Sequence, residues 1–492
     1  MSAHSRFQPN RPPCGQTRRQ FLWQVGGGFT ALPLIDLLSG DGFFQKYAQG
    51  AEPDGDQNHN LFSEKDPHFP ARAKHVIFFF MQGGPSQVDT FDPKPALKKY
   101  AGKPYGGNLQ IGSNARPIGH TMPSPFPFTQ RGESGLPISS LYPHVGRFAD
   151  DLCVIRSMYA ETPTHSPGIL QMNTGSFVFG RPSLGAWLSY GLGTENDDLP
   201  SYVVMTDPRG GPRGGAAAWG AGFMPAAYQG TMFRSQGSPL LNLATPAGLS
   251  PGTQRRSLDL LERLNHQHLQ ERPGDSELVA RVRSYELAYR MQTSAADAVD
   301  LDREDEKTKD RYGLSDDRTA VYGRQCLLTR RLIERGVRYV QLYSGGGLHD
   351  WDAHKDCHEN HTQRAGETDQ PIAALMHDLK ARGLWDETLL IWGGEFGRTP
   401  TSEGVGKPGR DHNHHGFSMW LAGGGVKGGQ TIGTTDELGF KAVEERFHVS
   451  DLHATILHLM GLDHTQLTYL HEGLQERATG VEERHVIRKA LA

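Results

Sequence analysis

Four short stretches put acidic and imidazole groups where they could share a ligand. They are "GGPSQVDTFD" (83–92), "TPTHSPGILQMNTG" (162–175), "GGGLHDWDAH" (345–354), and "GGEFGRTP" (393–400) together with "GRDHNHHG" (409–416). Carboxylate oxygens and imidazole nitrogens in one place suit zinc, manganese or iron; completed by water, they also suit magnesium or calcium. Within "DWDAH", either Asp352 or Asp350 can join His354, and on a helical turn Asp350 and His354 would share a face. A single Asp–His pair is usually a hydrogen-bonded surface or capping pair. Four such clusters, each at the end of a buried run, point to a metal centre.

The same groups have plainer readings. His453 and His458 fall on an amphipathic helix and read as structural or solvated; His358 and His361 lie in a polar run and read as exposed. His414 and His415 stay open. Trp392 and Trp420 sit in apolar strands and read as core. Arg398, after the Glu395 turn, either clamps an anion or ties the turn down with a salt bridge.

Strands must deliver these clusters. Val76–Met81 is a continuous apolar run that breaks at Gly83-Gly84-Pro85, as expected of a strand buried on both faces. Further strands are predicted at 151–159, 201–207, 337–343 and 388–392. Helices should intervene. Leu278, Val282, Tyr285 and Tyr289 make one stripe, and residues 321–336 end at a capping Gly336. Residues 369–383 should start at an Asp369 cap with Pro371 in the first turn, and 450–461 should start at a Ser450 cap. The alternation predicts an α/β domain with a mostly parallel sheet, whose ligands bind beyond the carboxyl ends of the strands. A Gly-, Ala- and Pro-rich stretch near 208–251 reads as a long loop over that edge.

The chain has 492 residues, 22% of them charged, with a formal net charge of −4. No basic field marks nucleic acid as a partner. The four cysteines show neither zinc-finger spacing nor a disulfide framework. Arg18 and Arg19 precede Phe21, Leu22 and a weakly apolar, Gly-containing run, with no acidic residue before Asp36. This reads as a twin-arginine export signal, read by the twin-arginine translocase and cut near "YAQGAE". Its apolar run is too short and interrupted for a stable membrane span. Residues 1–50 are therefore set apart as signal and linker. Residues 51–492 are read as one domain, placed in the periplasm or outside the cell.

The stretches "GGPSQVDTFDPKP", "WDAH", "TDQPIAALMHDLKARGLWDETLLIWGGEFGRTP", "GRDHNHHGFSMWLAGGGVKGG" and "HVSDLHATILHLMGLDHTQLTY" resemble the domain-of-unknown-function family numbered 1501. That family looks like a branch of the alkaline phosphatase and sulfatase superfamily. The resemblance implies a three-layer α/β/α sandwich, a divalent metal (zinc, manganese, calcium or magnesium) and hydrolysis of phosphate or sulfate esters. "HSPGILQMNTG" is similar to the sulfatase signature, with His165 where the nucleophile stands and no cysteine to become formylglycine. His165 is then a nucleophile, a ligand or a general acid, with Thr164 and Ser166 as neighbouring hydroxyls. "GGEFG" resembles the sulfatase Asp-His-Gly metal motif, with Glu395 for the Asp and Phe396 for the His. By the same resemblance Asp352, His354, Asp411 and His412 bind metal, and Asp89 replaces an aspartate expected at Ser86, with Asp92 behind it.

Two functions compete. One is an exported metal-dependent hydrolase of sulfated or phosphorylated esters, glycan-linked ones among them. In it Asp89, Asp352, His354, Glu395, Asp411 and His412 hold metal, His165 stands by the reacting atom and Arg398 binds the anion. The other is a non-catalytic ligand- or partner-binding protein on the same fold. Convergence of the acidic and imidazole groups favours the first; their capture by Arg and Lys favours the second.

Overall fold

The computed structural model describes residues 63–104, 119–237, 239, 250–271, 285–292, 297–347, 349–402 and 408–492. The basic leader, its cleavage region, and Leu278 and Val282 of the expected helical stripe lie outside the described residues. The chain divides into two units. One is Asn58–Tyr469 with Gln475–Ala492; of the other, only the hairpin turn Leu470–Leu474 is described.

Among the described residues, nine strands build the central sheet of the larger unit: β1 (His75–Met81), β2 (Cys153–Tyr159), β3 (Tyr202–Met205), β4 (Thr231–Phe233), β5 (Tyr339–Ser344), β6 (Thr388–Gly393), β7 (Phe417–Gly423), β8 (Gln430–Ile432) and β9 (Phe447–His448). Their order is β8-β2-β7-β6-β1-β5-β3-β4, with β9 also pairing β2. All pairings are parallel except the two made by β7, which runs against both β2 and β6. The five predicted strands are present. Inside the stretch predicted as one long loop, Thr231–Phe233 forms the edge strand β4.

Side chains alternate across a strand, so a strand buried on both faces must be apolar throughout. In β1, Ile77, Phe79 and Met81 enter one core, and Val76, Phe78 and Phe80 enter the other. The first core is covered by helices at Ala320–Ile333 and Cys357–Ala381. The second is covered by helices at His165–Thr174, Leu184–Leu192 and Val449–Leu459. In chain order, with Pro251–Glu271, these helices are α1 (His165–Thr174), α2 (Leu184–Leu192), α3 (Pro251–Glu271), α4 (Ala320–Ile333), α5 (Cys357–Ala381) and α6 (Val449–Leu459). The architecture is the three-layer α/β/α sandwich that was expected. Each fully buried large apolar side chain contributes roughly 2 kcal/mol to holding the layers together.

Two helix starts differ from expectation. Helix α5 begins at Cys357, not beside Asp369, and carries Pro371 inside. Asp369 instead accepts the backbone N–H groups of His144 and Val145, both at 2.8 Å, so it caps the 3-10 turn Val145–Asp151. Helix α6 is capped by His448, whose Nδ1 accepts the Ser450 N–H while Asp451 accepts the His448 N–H.

The topology explains why the four clusters share one rim. Three follow the carboxyl ends of β1, β5 and β6, which are neighbours, and the loop after β2 reaches the same edge. Because β7 runs the other way, the segment that enters it, 408–416, also lies at that edge.

Candidate metal centre

Asp352 stands at the middle of the rim. Its Oδ1 lies 3.0 Å from His354 Nε2 and 3.1 Å from His412 Nε2; its Oδ2 lies 3.0 Å from His165 Nε2. Three imidazoles from three separate segments therefore face one carboxylate. Potential ligand atoms of His165, Asp352 and His412 lie within 4.8 Å of one another, as do those of His354, Asp411 and His412. His354 Nε2 and His412 Nε2 are 2.9 Å apart.

The outward partners of these rings decide which nitrogen is bare. His412 Nδ1 is 2.7 Å from the Pro163 carbonyl, an acceptor only, so Nδ1 carries the hydrogen. Burial pushes the His412 pKa down to about 4, so the ring is neutral at pH 7 and Nε2 presents a lone pair. His165 Nδ1 is 2.6 Å from Glu395 Oε1, which fixes its hydrogen in the same way. His165 Nε2 is buried and forms no well-aligned hydrogen bond, although Asp352 Oδ2 is within ion-pair distance. Burial works to lower the His165 pKa, but the Asp352 and Glu395 carboxylates outweigh it and leave the pKa raised. Burial also works to raise the Asp352 pKa, but the Arg398 charge and the three histidines hold this carboxyl far below the usual range. The Nε2 atoms of His165 and His412 and the ionised Asp352 carboxylate all face inward, a donor set that fits a divalent metal.

The expected site residues take four positions. His165, Asp352, His354, Asp411 and His412 come together around Asp352. Glu395 stands behind His165: it is fully buried, and both oxygens accept the Gly83 N–H, at 3.0 and 3.2 Å. Arg398 is also fully buried, with Nε on the Gly84 carbonyl, Nη2 on the Gly83 carbonyl and, 2.7 Å away, Asp352 Oδ1. That is the loop-tying arrangement, not one open to a substrate anion. Asp89 is outside the cluster. Its carboxylate forms a bidentate pair with Arg410, Nε to Oδ2 at 2.7 Å and Nη2 to Oδ1 at 3.2 Å, so its oxygens are committed and the expected metal role has no support in its placement. Asp92 is likewise committed, to Thr435 and to Lys94 at 3.1 Å.

Gly83 fits these parts together. It has φ +102°, and a Cβ there would meet the backbone nitrogens of Trp351 and Asp352 at 2.6 Å. Phe396, where the resemblance expected a histidine, packs 5.0 Å from the His165 ring and 4.8 Å from the His412 ring, so it buttresses both.

Several participants escaped the sequence reading. Arg213 reaches Asp350 at 2.8 Å and Asp352 at 3.0 Å from inside the Gly-rich stretch, where the motif "RGGPRGG" was the only signal. Arg410 had no local signal, because Asp89 lies more than three hundred residues away in sequence. His361, expected on the surface, is fully buried, and its Nε2 accepts the Ser86 N–H at 3.0 Å. Trp392 and Trp420 are buried as expected, and His453, read as structural or solvated, is buried. Both proposed discriminators are realised at once: imidazoles converge, and arginines hold the carboxylates.

No curated protein matches the chain. Solved structures that resemble it include the PsFucS1 sulfatase from Pseudoalteromonas sp., with TM-score 0.35, 13% identity, and 85% of this chain and 76% of that chain covered. A protein in the alkaline phosphatase superfamily from Vibrio parahaemolyticus has TM-score 0.33 and 11% identity over 85% of this chain and 74% of that one. A TAB5 alkaline phosphatase variant with bound magnesium has TM-score 0.36 and 11% identity over 80% of this chain and 99% of that one. The family described as "Protein of unknown function (DUF1501)" matches residues 73–491, and the chain belongs to it.

Proposed function

We propose that this chain is a metal-dependent hydrolase of phosphate or sulfate esters, exported by the twin-arginine route and acting on anionic esters, sulfated or phosphorylated glycans among them. One observation carries the reading: His165 Nε2, His412 Nε2 and the ionised Asp352 carboxylate converge, with Glu395 and the Pro163 carbonyl holding each Nδ1 so that both Nε2 atoms face inward. His165, Asp352 and His412 would hold the ion, and His354 and Asp411 flank it. The nitrogen-rich set favours zinc or another transition metal over magnesium or calcium. Such an ion supplies Lewis acidity toward an ester oxygen and lowers the pKa of a coordinated water.

The chain's own residues do the rest. Glu395 fixes the His165 ring, and Pro163 fixes the His412 ring. Arg398 holds the Gly83–Gly84 turn against Asp352. Helix α1 starts at His165, so its N-terminal N–H groups and dipole favour an anion at this rim. Thr164, exposed at the helix cap, places a hydroxyl beside His165, paired with the Thr162 hydroxyl at 2.8 Å, while the Ser166 hydroxyl donates to the Arg213 carbonyl.

The competing reading, a binding protein without catalysis, draws on the arginines that neutralise Asp352. Elemental analysis of the purified protein beside Asp352→Ala, with a screen of p-nitrophenyl phosphate and p-nitrocatechol sulfate, separates the two. The hydrolase reading expects near-stoichiometric metal, lost in the variant, and ester turnover that follows the metal. A folded wild type that takes up no zinc, manganese or calcium sinks it.

A further inference from the structure

Two arginines meet the Asp352 carboxylate, and different things hold them. Every nitrogen of the Arg398 guanidinium is engaged: Nε with Gly84 O at 3.0 Å, Nη1 with Arg410 O at 3.2 Å, and Nη2 with Gly83 O and Asp352 Oδ1. Removing it would strip three buried carbonyls of their donor. Arg213 is 33% exposed at its side chain. Its Nη2 lies 2.8 Å from Asp350 Oδ2 and 3.0 Å from Asp352 Oδ2, and among the described residues its Nε and Nη1 find no acceptor.

The root of Arg213 is nonetheless fixed. Ser166 Oγ donates to the Arg213 carbonyl at 3.0 Å, which ties the loop to the first turn of α1 beside His165. Four residues earlier, Arg209 is held by both Asp207 and Glu367. Between them, Gly210 packs so closely on the 345–347 loop that a Cβ on Gly346 would stand 1.9 Å from the Gly210 carbonyl. The backbone is clamped while the guanidinium faces the opening with donors to spare.

Asp352 Oδ2, the oxygen that holds Arg213, is the one that faces His165 Nε2. A divalent ion bound by His165 and Asp352 must compete with Arg213 for that oxygen. Like charges do not share a carboxylate oxygen without cost, so Arg213 is the partner that yields, since Asp350 remains to hold it.

We propose that Arg213 is an exchangeable counter-ion. In the ion-free protein it neutralises Asp352. When metal takes Asp352, Arg213 keeps Asp350 and turns its unused N–H groups to the oxyanion of the substrate ester, as a planar guanidinium fork is suited to do. This inference rests on the metal reading of the site. It makes one substitution move two affinities in opposite directions, which a merely structural role would not do.

The test is calorimetric titration of the full chain, first with zinc alone and then, on the zinc-loaded protein, with inorganic phosphate. Arg213→Gln is expected to bind zinc about tenfold more tightly and phosphate about thirtyfold more weakly. Arg213→Lys keeps the charge but not the fork, and guards against a variant that fails to fold. It should bind zinc within about threefold of wild type and phosphate about tenfold more weakly. Unchanged or weaker zinc binding by a folded Arg213→Gln, with wild type binding zinc normally, overturns the proposal. A wild type that binds no zinc overturns the metal reading instead, so the two failures are distinct.

Discussion

His165 Nδ1 lies 2.6 Å from Glu395 Oε1, and this contact turns the other ring nitrogen toward Asp352. A carboxylate behind a ligating histidine fixes its tautomer and raises its basicity. Glu395→Gln keeps the size of the side chain and removes the charge. Zinc affinity should fall about 10- to 100-fold while the protein stays folded. Titration of wild type and variant checks this, and equal affinities would show that Glu395 does not act through His165.

Asp89 and Arg410 are both fully buried and paired, so removing one leaves an uncompensated charge. Asp89→Ala should cost about 3–5 kcal/mol in urea unfolding. The double substitution Asp89→Leu with Arg410→Met should recover much of that loss. A variant that keeps wild-type stability yet loses its metal would restore Asp89 as a ligand.

Gly83 is the joint between the turn after β1 and the loop carrying Asp352. Gly83→Ala puts a methyl 2.6 Å from two backbone nitrogens at φ +102°. The expected loss is about 2–4 kcal/mol, with weakened metal binding as Asp352 is displaced. Thermal unfolding and metal content read the two effects. A variant that melts with wild type would mean the loop yields freely.

Buried neutral histidines set the acid limit. Burial pushes His361 down to about 3 and His453 down to about 4, the latter partly countered by the Met172 carbonyl. An unfolded histidine titrates near 6.5. Their folded values are depressed, so the unfolded chain binds protons that the native state refuses. Stability is full above about pH 6.5 and falls as pH drops toward 4, by about 1.4 kcal/mol per pH unit for each ring. Urea unfolding at pH 7, 6 and 5 should show this slope, and His361→Gln should flatten part of it. Stability that holds constant over that range contradicts neutral burial.

Export can be tested apart from chemistry. Replacing Arg18 and Arg19 together by lysine should leave the protein in the cytoplasm, as read by cell fractionation. Normal export of that variant would exclude the twin-arginine route.

Much of this protein is legible in sequence, because apolar periodicity is local. The run Val76–Met81, broken by Gly83-Gly84-Pro85, fits a strand buried on both faces, and with its counterparts it implies the parallel sheet and the rim where His165, Asp352, His354, Asp411 and His412 gather. The chemistry of those side chains, nitrogen and carboxylate donors in several loops, is also written in the chain. The pairing is not. Asp89 and Asp352 follow similar glycine-rich breaks after similar strands, yet one is closed by Arg410 and the other faces three imidazoles. Which carboxylate faces the imidazoles depends on Arg410, more than three hundred residues from Asp89, on which ring nitrogen meets Glu395 or the Pro163 carbonyl, and on the Gly-rich loop that brings in Arg213. Those are distances between loops, and only the packed sheet and its helices set them.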